Sequence, residues 1–250
     1  MSGHSRWANI KRTKGVADSK RGKIFTKLVK EITVATRIGG PDPKGNPRLR
    51  LAIETAKGEA MPKENIDRAI KKGSGELEGE QIQEILYEGY GPHGVALLLE
   101  VNTDNKNRTV SELRNILDKA NGSLATNGAV GWKFQRKGRI AVEKKTTTED
   151  KLTEQVIEAG GEDVQDAGDI FSVTTSVEDF NTVRDALEKA GVKIAHAELT
   201  YMPKDHVMLS GHHAEQLLSL VEKLEDNDDV AKVHADFEIS EEELHRIANM

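Results

Sequence analysis

The 250-residue chain carries 31% charged residues and, once its 22 glycines are counted with the apolar set, an apolar share of about 45%; that suits two or three folded domains and excludes global disorder. It has no cysteine, which excludes disulfide frameworks, thiolate catalysis and Cys-containing zinc sites, and no run of about 18 apolar residues or signal-peptide pattern, so a cytoplasmic protein that neither crosses a membrane nor is exported is expected. The net charge of −6 hides a split: residues 1–75 hold 18 Lys and Arg against 7 Asp and Glu, a net of +11, whereas the remainder is −17, an asymmetry that points to an anionic polymer as partner of the basic end or to attraction between the two halves.

In chain order, the first 78 residues read as a basic three-helix domain preceded by an arm. From Ala17 to Ile38 apolar residues Ile24, Phe25, Leu28, Val29, Ile32 and Ala35 recur at helical spacing until Gly39-Gly40-Pro41 stops them. Asn46-Pro47 is an N-cap and first-turn pair for a second helix, and Pro62 opens a third that ends at Lys71, Lys72 and Gly73. Beyond a Gly- and Glu-rich linker the period changes. Strands over 82–89 and 95–103, a helix over 109–120 and a strand over 129–135 make an incomplete α/β unit. Residues 139–203 then read as strand, helix, two strands, helix, strand, a complete ferredoxin-like β-α-β-β-α-β unit. A helix over 214–224 and a strand over 230–237 supply what the earlier unit lacks. The predicted architecture is therefore multi-domain α plus α/β: helical residues 1–78, a discontinuous α/β domain of 79–138 plus 204–240, and a second ferredoxin-like domain, 139–203, inserted in it.

Candidate function concentrates at the amino end. Lys20, Lys23, Lys27, Lys30 and Arg37 fall on one stripe of the first helix, roughly opposite the Phe25–Leu28–Ile32 seam. The preceding arm adds Arg6, Lys11, Arg12, Lys14 and Arg21, with Asp18 the one acid among these cations. Such a surface binds phosphate by counterion release; five to eight contacts would give a log-log salt slope of about −5 to −7. The bland reading is a solvated lysine face. Trp7, inside the arm, is a candidate to stack on a base or to anchor the arm to its own domain. Trp132 and Phe134, two apart on one strand, suggest either an aromatic platform of the RNA-recognition kind or an inward pair under the helices; the full RNP1 pattern is absent.

Other motifs carry less. Gly89-Tyr90-Gly91-Pro92-His93-Gly94 matches G-x-G-x-x-G but lies between two strands, where a hairpin explains it better than a dinucleotide site. The eight histidines show no metal-ligand spacing, and no nucleophile–base pair or P-loop occurs. Neither metal, cofactor nor catalysis is expected.

The segments GHSRWANIKRTKGVADSKRGKIFTKLVKEI, GGPDPKGNPRLRLAIETAKGEAMPKENIDRAIKKG, YEGYGPHGVALLLEVNTDNKNRT and GAVGWKF resemble the YebC/PmpR family over essentially the whole chain. Mitochondrial translational activators of cytochrome oxidase are distant relatives, and with no targeting extension before Ser2 the chain looks like the bacterial form. The resemblance implies a helical amino-terminal domain and two α/β domains. It also implies a DNA-binding transcriptional regulator or, alternatively, a ribosome-associated translation factor contacting ribosomal RNA. The basic positions that carry over are Lys11, Arg12, Lys14, Lys20, Arg21, Lys23 and Lys27; Thr13, Gly15 and Val16 depart from the more basic pattern. The expected partner is DNA or RNA phosphate backbone, with the acidic domains left for homodimer or protein contacts.

Overall fold

A computed structural model describes residues 18–79 and 81–248. Helix α1, Asp18–Gly39, packs against α2, Pro47–Gly58, and α3, Lys63–Ser74. Their core is Ile32, Ala35, Leu49, Ala52, Ala56, Met61, Ile66 and Ala69. The turn from α1 to α2 is fixed by Asn46. Its amide donates to the carbonyls of Ala35 (2.8 Å) and Gly40 (2.9 Å), and its oxygen caps α2 by accepting from the Leu49 N–H at 3.0 Å. Gly73 permits the close crossing of α3 over α1, since a Cβ there would lie 2.5 Å from the Thr33 carbonyl. Residues Ile32 to Thr36 are buried in unbroken succession, which the face of a surface helix does not allow; the far side of α1 meets the next domain.

That domain is a four-stranded sheet in the order β3-β1-β2-β9, from β1 (Gln83–Tyr90), β2 (Ala96–Thr103), β3 (Ser123–Leu124) and β9 (Val230–Ala235). One face is covered by α4, Lys106–Asp118, and α7, Gly211–Glu225, around Leu97, Leu99, Val101, Leu113, Leu117, Leu217 and Val221. Helix α4 starts three residues before the predicted 109 because Asn105 caps it, accepting from the Arg108 N–H at 3.1 Å. The G-x-G-x-x-G segment joins antiparallel β1 and β2 through a short 3-10 turn, with Gly94 at φ +77°.

The second sheet, β5-β6-β4-β7, is formed by β4 (Phe134–Glu143), β5 (Asp163–Asp166), β6 (Ile170–Thr175) and β7 (Ile194–Pro203), backed by α5 (Glu149–Glu158) and α6 (Phe180–Lys189). All its pairings are antiparallel, the ferredoxin-like arrangement. The two strands expected over 129–135 and 140–143 are one: β4 runs straight through Gly138, and Phe134 already pairs with Pro203. The second sheet thus begins near 134, not 139. Gly138 is a close approach, not a break, because a Cβ there would lie 2.2 Å from Thr175 Oγ1 and 2.5 Å from the Phe180 ring. After β7 the chain returns through β8 (Val207–Met208), α7 and β9 to the first sheet, then adds β10 (Phe237–Glu238), parallel to β8. A last helix, α8 (Glu241–Ala248), lies beyond the predicted elements, with Leu244 buried and Arg246 bonded to Glu215 of α7.

Candidate nucleic-acid interface

The stripe on α1 is not left free by packing, as the sequence suggests; much of it docks on the body. Lys23 donates to the Asp226 carbonyl at 3.0 Å, Lys27 to the Glu225 carbonyl, and Lys30 to the Asp228 carbonyl at 2.9 Å and the Asp229 carboxylate at 2.5 Å. Arg37 donates to the Ile82 carbonyl. Glu225 is the last residue of α7, so three ammonium groups meet the end of a helix, where unpaired carbonyls and the macrodipole favour cations. Burial pushes the Lys27 ammonium below its ordinary range, against the opposing pull of Glu225, Asp228 and Asp226. Helix α1 is covered on more than its apolar seam, Val34 being fully buried as well.

Asp229 anchors the contact. Its carboxylate is 4% exposed and accepts from Lys30, from Arg108 (2.9 Å), from Thr109 (2.6 Å) and from Thr103 (3.2 Å). Burial disfavours its charge, but the bonds from Lys30, Thr109 and Arg108 prevail and hold its pKa at about 2. Beside it, Glu31 of α1 grips Arg48 of α2 at 2.7 Å and accepts from Asn102 of β2 at 3.1 Å, while Arg48 also reaches Glu84 at 2.5 Å. These bonds tie the helical domain to the first sheet.

All three domains meet at a cleft of about 220 Å³ lined by α1, α2, β2, β7, β9 and the start of α6. Most of its charged groups are matched to one another, the exposed Arg136 being without an ion pair among the described residues. Lys232 bonds Glu198 at 3.0 Å, and His234 bonds Glu100 at 2.6 Å. Burial works against the Glu198 charge, yet Lys232, His196 and Arg139 hold its pKa well below the usual carboxylate range. Apart from Arg136, the charges at the cleft are paired with one another and hold the three domains together. Among the described residues no cluster of three or more His, Asp or Glu is placed to hold a metal.

Of the predicted phosphate-binding residues, Lys11, Arg12 and Lys14, like Trp7, lie outside the described residues, as do the side chains of Lys20 and Arg21. The structure brings Lys23, Lys27 and Lys30 together at the acidic loop, with Lys23 still 46% exposed. Helical periodicity cannot reveal this contact because the loop lies about 200 residues away in sequence. A second cationic face is one the sequence reading does not single out: Arg68, Lys71 and Lys72, at i, i+3 and i+4 on α3, are exposed and form no ion pair among the described residues. The i, i+3, i+4 spacing displays this face, although Lys71 and Lys72 also sit where a helix carboxyl end favours cations.

The two aromatics Trp132 and Phe134 part company. Phe134 is 6% exposed and packs with Ala96, Leu98 and Val130, whereas Trp132 is 63% exposed. Neither a two-ring platform nor an inward pair results, because Gly131–Lys133 is a 3-10 turn and strand alternation begins only at Phe134.

Residues 5–76 match the TACO1/YebC protein N-terminal domain, and residues 82–237 match the TACO1/YebC second and third domain. Proteins named "Probable transcriptional regulatory protein" are similar over nearly the full length. One from Geotalea uraniireducens is 56% identical over 99% of this chain and 100% of its own, and one from Geobacter sulfurreducens is 54% identical over the same shares. The crystal structure of a conserved hypothetical protein from Aquifex aeolicus superposes with a TM-score of 0.82 at 49% identity, covering 90% of this chain and 93% of that one.

Proposed function

The chain belongs to the TACO1/YebC family, the YebC/PmpR family that its motifs resemble, and from that membership we propose a cytoplasmic, DNA-binding transcriptional regulator that works by binding and not by catalysis. The names of its relatives support the regulatory part. No described helix is long and apolar enough to cross a membrane. The observation that carries the binding part is the exposed cationic face of Arg68, Lys71 and Lys72, which forms no ion pair among the described residues, set in the same +11 segment as the arm residues Lys11, Arg12 and Lys14. Lysine and arginine at these places meet phosphate, with Lys20, Arg21 and Lys23 adding to the contact, while Lys27 and Lys30 hold α1 on the body. Phosphate contacts position a protein without reading bases, so sequence preference is modest.

The test is fluorescence anisotropy with a labelled duplex across a salt series. Reversing Arg68, Lys71 and Lys72 to Glu should weaken binding and flatten the log-log slope by about 3, close to one unit per lost phosphate contact. An unchanged slope refutes the role of this face. Cosedimentation with ribosomes that the same reversal abolishes, beside duplex binding at background level, would transfer the face to ribosomal RNA.

A further inference from the structure

At the other end of the first sheet an exposed tryptophan is held in place. Helix α1 meets this sheet at its Ile82 and Thr103 end, through Arg37 and the Asp229 cluster. Tyr90, opposite Ala96, is at the far end of β1, on the order of 25 Å away at about 3.3 Å per residue. There the buried carboxylate of Glu88 accepts from the N–H groups of Gly128 (2.7 Å), Val130 (2.6 Å) and Gly131 (2.8 Å), which makes the loop before Trp132 rigid. The Trp132 indole N–H donates to the Ala129 carbonyl at 3.1 Å, and the Tyr90 hydroxyl, on a residue 37% exposed, donates to the same carbonyl at 3.4 Å. Lys204 donates to the Trp132 carbonyl at 2.7 Å.

With its N–H already bonded, the indole offers a partner only its π-face and no polar edge. The segment from Ser123 to Gln135 contains no acidic residue, although the chain beyond residue 75 has a charge of −17. Glu88 is bonded to the loop backbone, and Asp236 nearby is neutralised by Lys133 at 2.6 Å. A partner suited to this site is flat, has a π-face and carries negative charge beside it. We propose that Trp132, with Tyr90 and Lys204, is a stacking site for an unpaired nucleobase whose flanking phosphate lies near Lys204. An exposed ring with fixed orientation loses little freedom on stacking, and any base presents a face to it. This site is separate from the duplex contact proposed for α3, so either can fail without the other.

The chain has two tryptophans, and a full-length Trp7→Phe background leaves Trp132 as the sole reporter. Oligo-U RNA, oligo-dU DNA and a duplex of equal length are titrated against its emission. Saturable quenching by single strands, with the duplex without effect, is the expected result. Trp132→Ala, read by anisotropy, should weaken single-strand binding roughly 5- to 100-fold, Trp132→Phe by much less; both variants lose the bond to the Ala129 carbonyl, so any fall in thermal midpoint should be small and alike in the two. Preference for RNA over DNA assigns a 2′-hydroxyl contact in addition, and equal binding assigns the base alone. Emission that ignores single strands, or unaltered single-strand affinity in Trp132→Ala, overturns the proposal and leaves the ring to a protein partner.

Discussion

Replacing Asp229 with asparagine tests whether one buried carboxylate fastens the basic helix to the rest of the molecule. Its pKa of about 2 against an ordinary 3.8 means that folding favours the ionised form by roughly 2 to 3 kcal/mol, at about 1.4 kcal/mol per unit. The carboxyl is almost wholly buried, so little of this is lost to solvent screening. The amide of Asp229→Asn would keep one acceptor for Thr109 but leave Lys30 without a counter-charge, so a loss of about 2 to 3 kcal/mol is expected at neutral pH, or roughly 5 to 10 °C in melting temperature for a chain of this size. The folded-state pKa is depressed. Its contribution is therefore complete above the unfolded value near 4 and disappears as pH falls through about 2. Calorimetry from neutral pH down to about 2 should show wild type converging on the variant in that window, and hydrogen exchange should show α1 losing protection first. Equal melting temperatures at neutral pH, or parallel acid profiles, would refute the anchoring role.

Glu88→Gln should lower stability by about 1 to 3 kcal/mol, since a charged acceptor of three backbone N–H groups, one buried and two partly buried, becomes a neutral amide; in the Trp7→Phe background, lower steady-state anisotropy of Trp132 would report release of the loop. Gly138→Ala should destabilise the second sheet by about 1 to 3 kcal/mol or more, because its methyl collides with Thr175 and Phe180; urea unfolding with the first sheet's amides still protected would localise the damage. Asn46→Ala should cost about 1 to 2 kcal/mol through loss of the α2 cap and of the two bonds to the α1 end, measured as a shift in urea midpoint at constant slope.

Local chemistry made much of the fold readable. The Asn46-Pro47 start of α2, the 3.6-residue seam of α1 and the hairpin glycines of residues 89–94 act within a few residues of themselves, so the sequence displays them. Helix α8 was readable too: Ser240 followed by Glu243 is a capping-box pair, and the Glu243 N–H does approach Ser240 Oγ at 3.3 Å. Gly138 misleads for the opposite reason. A glycine that ends a strand and one that lets Phe180 press against it look identical until the partner helix is in place.

The candidate surfaces divide in the same way. Composition and spacing alone determined that residues 1–75 are polycationic and that cations cluster on the helices, because charge count and helical period belong to the chain itself. Only the tertiary structure decided which of those charges are available: it set the α7 terminus and the acidic loop against Lys23, Lys27 and Lys30, left Arg68, Lys71 and Lys72 without an ion pair among the described residues, and buried Phe134 while exposing Trp132. The physical reason is range. Periodicity fixes which face a side chain occupies, but Coulomb pairing and burial depend on what lies opposite that face, and here the opposing groups come from about 200 residues further along the chain.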